Sequence, residues 1–297
     1  MRILLLAGGW SEEKEVSLSG AKAIYQALQT LGHQVILYDL GPNLSQFEQK
    51  VRQVDFVFIN LHGSPGEDGT IQAILEDLNL PYQGSGPLAS FLCLNKNAYK
   101  QILSQHSILT PRWTIYKPST GLLDLPGPFP LILKPNSGGS SVDIQIVHSR
   151  QELDQLCLNP AQEYLIEEFI SGQELTCGVL DQVPLPPVLI KPKSVFFDYH
   201  SKYDPKGAEE ICPAPVSVDI TQKVQTLTRQ IHQLFKLKDY SRTDFILSST
   251  NELYVLETNT IPGMTPTSLF PQEAMAVGIE FTQLIAKLVE LGLEKKR

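Results

Sequence analysis

Over the first eighty residues, short apolar runs alternate with stretches of helical period, which predicts strands and helices in turn. Residues 2–6 are an apolar run that enters Gly8-Gly9, as a buried strand enters a turn. Between residues 17 and 31 the apolar positions are Ala21, Ile24, Leu28 and Leu31, a helical face stopped by Gly32 in the manner of a C-cap. Residues 34–38 and 55–60 read as further strands, and Asp68 as the cap of a helix through Leu78 that ends before Pro81-Tyr82. Strands alternating with helices call for a parallel sheet.

The rhythm changes near residue 85. A helical region around 91–103 is followed by strand patterns at 131–134, 142–147 and 164–168, with a Gly- and Pro-rich linker at 118–130. From about residue 172 it changes again. Residues 175–183 and 187–191 look like a hairpin, 193–213 like a long polar and aromatic loop, and 220–235 like a helix through Val224, Leu227, Ile231 and Leu234. A second hairpin and two helices close the chain. The fold class is α/β, becoming α+β in the C-terminal part, with units at 1–84, 85–171 and 172–297. No repeat of solenoid period is present.

The last hairpin carries chemistry. Residues 240–247 and 252–257 alternate with period 2 around the turn 248–251. If that loop is symmetric about Thr250-Asn251, Asp244 stands opposite Glu257 and Arg242 opposite Asn259. Opposed residues share a face, and two acids so placed repel without a compensating cation. Oxygen ligation by Asp244, Glu257 and Asn259 suits magnesium shared with nucleotide phosphates. The plainer alternative is a solvated face where Arg242 pairs both acids, and a one-residue bulge would undo the register.

Composition limits the function classes. The 297 residues are 42% hydrophobic and 19% charged with net charge −8, an ordinary globular balance that excludes a general nucleic-acid binder. No apolar run reaches membrane-spanning length, and the N-terminus lacks a secretory layout, so a cytoplasmic protein without membrane partners is expected. Cys93, Cys157, Cys177 and Cys212 form no CxxC pair and read as reduced thiols.

Other motifs add candidate contacts. The loop from Lys134 through Ser140 and Ser141 joins two predicted strands and could fold over polyphosphate, or be an ordinary turn. Glu167, Glu168, Phe169 and Ile170, with Glu174 beyond, follow a strand at a domain junction. Their backbone could read an adenine edge, the apolar pair could pack on the ring, and Glu174 could hold ribose. Gly8 to Ser17 joins the first strand to its helix, where ligands of open α/β sheets bind; an acid there could meet an ammonium group, or Glu12, Glu13 and Glu15 could simply favour a helix N-terminus. His62 and Gly63 leave the third strand at the same edge. Gly263 would allow close approach to a reacting centre, and Ser268 with the following amides could hold a carboxylate.

Taken in order, these segments resemble the D-alanine–D-alanine ligases of the ATP-grasp superfamily. The resemblance rests on Gly8-Gly9 with Glu15 to Gly20, Leu61-His62-Gly63 with Gly66 to Gln72, and Gly84-Ser85-Gly86. It continues through the loop Lys134 to Val142, Tyr199 to Tyr203, Arg242 with Asp244, and Leu256 to Leu269. It covers nearly the whole chain and implies a three-domain ATP-grasp architecture with an N-terminal parallel sheet.

The resemblance also implies roles. ATP is the co-substrate, and Asp244, Glu257 and Asn259 hold two magnesium ions, for which manganese could substitute. Lys96, Lys134 and Lys202 contact phosphates, while Glu167 to Ile170 and Glu174 hold adenosine. Glu15 binds the ammonium of a first D-alanine, Arg242 and the Gly263 amide stabilise the oxyanion, and Ser268, Leu269 and His62 receive the second D-alanine. Residues 193–213 correspond to a mobile lid in which Tyr203 bonds Ser140 and Glu15, a set that favours an amine nucleophile. The implied product is D-alanyl-D-alanine for peptidoglycan, made by a homodimer. Asn95 and Asp143 stand where the family commonly has an acid and a glycine. A ligase using D-lactate or D-serine, and a non-catalytic nucleotide-binding relative, are the alternatives.

Overall fold

The run Ile3 to Leu6 is apolar on every position because both its faces are covered. The computed structural model describes residues 1–11, 13–119, 124–138, 144–192 and 208–294. Strand β1 (Arg2–Ala7) lies between β2 (Gln34–Asp39) and β3 (Phe56–Ile59) in a parallel three-stranded sheet. Ile3 and Leu5 face helix α1 (Lys14–Thr30), whereas Leu4 and Leu6 face α2 (Leu44–Val51) and α3 (Thr70–Asp77). The first of these cores also takes in Leu284, Ile285 and Leu288 from near the C-terminus. Helix α1 begins three residues before the apolar pattern does, and α2 carries only Phe47 and Val51 as buried anchors.

The expected helix around 91–103 is two helices, α4 (Pro87–Leu94) and α5 (Lys96–Gln105). The break is Asn95, which is extended and accepts a hydrogen bond from Ala98 N at 3.0 Å, an N-cap. At this departure from the family pattern the amide serves as the cap, a role an acid would fill as well. Asp143 lies outside the described residues.

Strands β4 (Trp113–Tyr116), β5 (Leu131–Pro135), β6 (Gln145–Val147) and, after helix α6 (Arg150–Asp154), β7 (Tyr164–Glu168) make an antiparallel sheet ordered β4-β7-β5-β6. The chain then passes from β7 into β8 (Gly172–Leu180), which opens the largest sheet. Strands β9 (Val183–Pro184), β10 (Val188–Pro192), β11 (Ala208–Ile211), β12 (Tyr240–Ser248) and β13 (Leu253–Asn259) complete it, in the order β11-β10-β8-β12-β13 with β9 paired to β8. Helix α7 (Val218–Leu234) and α5 cover one face of this sheet through Val224, Ile231, Tyr99 and Leu103. Helices α8 (Leu269–Ala276) and α9 (Phe281–Glu294) end the described chain, and α9 packs back on α1 and β1. Residues 208–211, expected in a loop, pair with β10, whereas β4 and α6 are too short for periodicity to mark.

Candidate active site

The face of the largest sheet turned away from α7 and α5 presents two rows of three residues: Thr176, Asp244 and Glu257, then Gly178, Arg242 and Asn259. Both expected pairs, Asp244 with Glu257 and Arg242 with Asn259, are in register. The loop is not symmetric about Thr250-Asn251, because Leu247 pairs with Leu253 and Phe245 with Val255. A bulge between Asp244 and Phe245 leaves Leu256 unpaired and restores the pairing beyond it. The bulge does not undo the register; it creates it.

Arg242 grips Asp244 with both arms of its fork, Nε to Oδ1 and Nη2 to Oδ2, each at 3.0 Å. Asp244 also accepts from Thr176 Oγ1 at 2.5 Å and from Asn259 Nδ2 at 3.3 Å. Burial would lower Arg242, but the Asp244 carboxylate outweighs it and holds the guanidinium charged. Glu257 is held more loosely: its Oε2 meets Lys96 Nζ at 3.7 Å, and it lines a small cavity with Glu67, Cys93, Lys96, Gly138 and Asn259. Arg242 therefore does not take both acids.

Two acids and an amide on one face form an oxygen donor set that fits a hard divalent cation. Glu257, held among the described residues only by Lys96, could turn toward an ion, whereas Asn259 would have to present its oxygen in place of the amide nitrogen now donating to Asp244. Among the described residues no group of three His, Cys, Asp or Glu gathers for a metal. The set depends on the amide.

Three lysines cluster here, of which Lys96 lines the cavity. Lys96, at the start of α5, donates to Gly138 O at 2.5 Å. Lys134 Nζ reaches Glu167 Oε1 at 2.9 Å, and fully buried Lys100 reaches the same oxygen at 3.3 Å. Burial would raise the Glu167 carboxyl, but Lys100 and then Lys134 hold it below its usual range. The Glu167 side chain thus anchors lysines, leaving backbone groups for any base contact. Glu168 is forked by Arg112 at 2.9 and 3.1 Å. Phe169, Ile170 and Glu174 are half-buried where β7 hands over to β8.

The loops of the parallel sheet close the site from the other side. His62 is buried and bonded to the Ile261 backbone; burial, then Arg242, pulls it down to about 4, so the ring is neutral. Glu67 accepts from Gly63 N at 2.8 Å, and burial, then Glu13 and Glu257, pushes its carboxyl up to about 8. Gly263 lies against Ser268, with room for a Cβ only 3.2 Å from Ser268 Oγ. Ser268 turns that oxygen back to Thr265, at 2.8 Å from its hydroxyl, and Leu269 opens α8.

The two acids on either side of Lys14 are placed differently. Glu15 is exposed on the first turn of α1, whereas Glu13, just before the helix, is buried, with Oε2 3.0 Å from where a Gly63 Cβ would stand. The acid facing the cleft is Glu13. Ser140, Ser141, Lys202, Tyr203 and residues 193–207 of the lid lie outside the described residues.

Two family models match the chain, the D-ala D-ala ligase N-terminus over residues 39–85 and the D-ala D-ala ligase C-terminus over residues 123–290. The D-alanine–D-alanine ligase of Maridesulfovibrio salexigens is 50% identical, with 100% of each chain covered. The chain belongs to the D-alanine–D-alanine ligase family. The ligase of Nitratidesulfovibrio vulgaris is 49% identical over 99% of this chain and 98% of its own. A Bacillus anthracis D-alanine–D-alanine ligase solved in complex with ATP superposes with a TM-score of 0.87 at 32% identity, covering 99% of this chain and 97% of its own. The VanG D-Ala:D-Ser ligase from Enterococcus faecalis gives 0.82 at 29%, covering 98% and 99%.

The protein is thus a ligase with the ATP-grasp fold. In this ligase neither motif nor periodicity singled out Glu67, Lys100, Thr176 or Glu273, or chose Glu13 over its neighbouring acids. Lys100 had a visible signal, four residues after Lys96 on one helix face. Thr176 and Glu273 had none, since their positions depend on strand pairing and helix docking.

Proposed function

We propose that this chain joins two D-alanines at the expense of ATP, giving D-alanyl-D-alanine, ADP and phosphate for peptidoglycan precursors. The observation that carries this reading is the forked Arg242–Asp244 pair, in register with Asn259 and Glu257 and facing the loops that bear His62 and Glu13. Two magnesium ions, held by Asp244, Glu257 and Asn259, would neutralise the β- and γ-phosphates when bound. The reading divides the chain into 1–84, 85–171 and 172–297.

Glu13 takes the ammonium of the first D-alanine and points its carboxylate at the γ-phosphate. Lys96 and Lys134 bind phosphate oxygens, and the backbone of Glu167, Glu168, Phe169 and Ile170 meets adenine, with Glu174 toward ribose. Carboxylate oxygen attacks phosphorus, ADP departs, and an acyl phosphate remains. The second D-alanine, its carboxylate held by Ser268 and the Leu269 amide, brings its deprotonated amine to the acyl carbon. Arg242 and the Gly263 N–H receive the charge on the carbonyl oxygen, a role commonly worth about 3 kcal/mol per donor. Phosphate then leaves. Neutral His62 beside Arg242 adds no competing positive charge. Lys202, Ser140, Ser141 and Tyr203 belong to the same reading as phosphate and lid contacts, as do a homodimer and a cytoplasmic location; no described helix is long and apolar enough to cross a membrane.

The test is mass spectrometry of the product formed from ATP, magnesium and a mixture of D-alanine, D-serine and D-lactate. D-alanyl-D-alanine as the dominant product supports the reading. Absence of ADP from folded protein, or a dominant ester or D-seryl product, contradicts it.

A further inference from the structure

Of the six positions in the two rows on this sheet face, five carry side chains and the sixth is Gly178, directly across from Arg242. That corner is filled from elsewhere. A Cβ on Gly178 would stand 2.3 Å from Glu273 Oε2 and 2.7 Å from Phe270 Cδ2, both on α8. Cross-strand neighbours stand about 5 Å apart, so this carboxyl sits beside the stem of Arg242. Glu273 is 0% exposed, and neither of its oxygens has a hydrogen-bond partner among the described residues. The Gly178 N–H favours its charged form weakly, short of a full hydrogen bond. Burial drives the carboxyl well above its usual range, against the pull of Arg242.

A buried acid without a partner is a poor packing element, since an apolar side chain of the same length would fill the corner without desolvating polar atoms. Its immediate charged surroundings are Arg242 and Asp244. Asp244 is shared among Arg242, Thr176 and Asn259, so it is a divided anchor for the guanidinium. We propose that Glu273 is a positioning residue for ligation: its carboxyl, seated in the gap left by Gly178, braces Arg242 across the strands while Asp244 holds it along β12. This rests on the reading of Arg242 as the group that faces the oxyanion.

The test compares kcat, the KM values for ATP and D-alanine, and thermal unfolding for wild type, Glu273→Gln and Glu273→Met. The glutamine variant should keep turnover within about threefold, whereas the methionine variant should lose about tenfold or more in kcat with KM values nearly unchanged and the melting temperature retained. A methionine variant with wild-type kcat overturns the proposal, as does equal loss in both variants with a matching fall in melting temperature. Should Glu273→Met not fold, Glu273→Asp withdraws the carboxyl by one carbon; a similar loss in kcat supports the brace, and wild-type turnover overturns it. Wild-type protein that releases no ADP would sink the Arg242 reading with it, whereas an active wild type beside an unimpaired methionine variant removes Glu273 alone.

Discussion

Asp244 faces Glu257 because Leu256 stands out of the ladder between them. Val255 lies in the core with Phe245, and in a regular strand Glu257 would share that buried face. The extra residue switches the parity of β13, so its outer half feeds the core and its inner half feeds the site. The two acids differ in how they are held, and this separates their effects. Glu257→Ala should cut turnover on the order of a hundredfold or more with little change in melting temperature, since its partner Lys96 is 3.7 Å away. Asp244→Asn should lose activity and also roughly 3 kcal/mol of stability, because it leaves the Arg242 guanidinium buried against a neutral group. Denaturant titration of both variants beside their rates checks the contrast.

Glu13 and Glu15 supply a second contrast. Glu13→Gln should raise the KM for the first D-alanine about tenfold or more, the worth of a charged hydrogen bond. Glu15→Gln, on an exposed turn, should change it little. Steady-state kinetics at saturating ATP distinguish them; equal effects would return the role to Glu15.

Asn95→Ala should cost about 1 kcal/mol through loss of the α5 cap, with Asn95→Asp close to wild type in stability. The same loss should raise the KM for ATP, because α5 carries Lys96. Urea unfolding and ATP titration of the rate measure the two effects.

His232 predicts acid sensitivity away from the site. It is fully buried, with Nδ1 2.8 Å from Ser241 Oγ, and burial pulls it from 6.5 to about 4. The unfolded chain therefore takes up a proton at higher pH than the folded one. Stability is complete above pH 6.5 and falls as pH drops toward 4, by roughly 3 kcal/mol for this group. His232→Leu should shrink the difference in unfolding free energy between pH 7 and pH 4 by that amount, whatever it does to absolute stability. An unchanged difference would remove His232 as the source.

Much of this was legible in the chain. Buried strands such as β1 and β7 announce themselves by composition, and the order of motifs specifies the family. The opposed acids were legible too, although the loop symmetry assumed for them does not hold and the Leu256 bulge compensates. What stayed hidden depends on direction in space. Glu13 and Glu15 differ by two positions before and within a helix, and only the start of α1 decides which one turns inward. The Asn95 break carries no Gly or Pro, so α4 and α5 read as one helix. Nothing local shows that Lys100 and Lys134 converge on the Glu167 side chain.

Oxygen transfer tests the central claim most directly. With D-alanine labelled by oxygen-18 in its carboxylate, an acyl phosphate route moves one labelled oxygen into phosphate for each dipeptide made, because the bridging oxygen leaves with phosphorus. Mass spectrometry of the released phosphate should show that single label, dependent on ATP and accumulating on the order of a hundredfold more slowly in Glu257→Ala. Dipeptide formed with unlabelled phosphate would contradict the account.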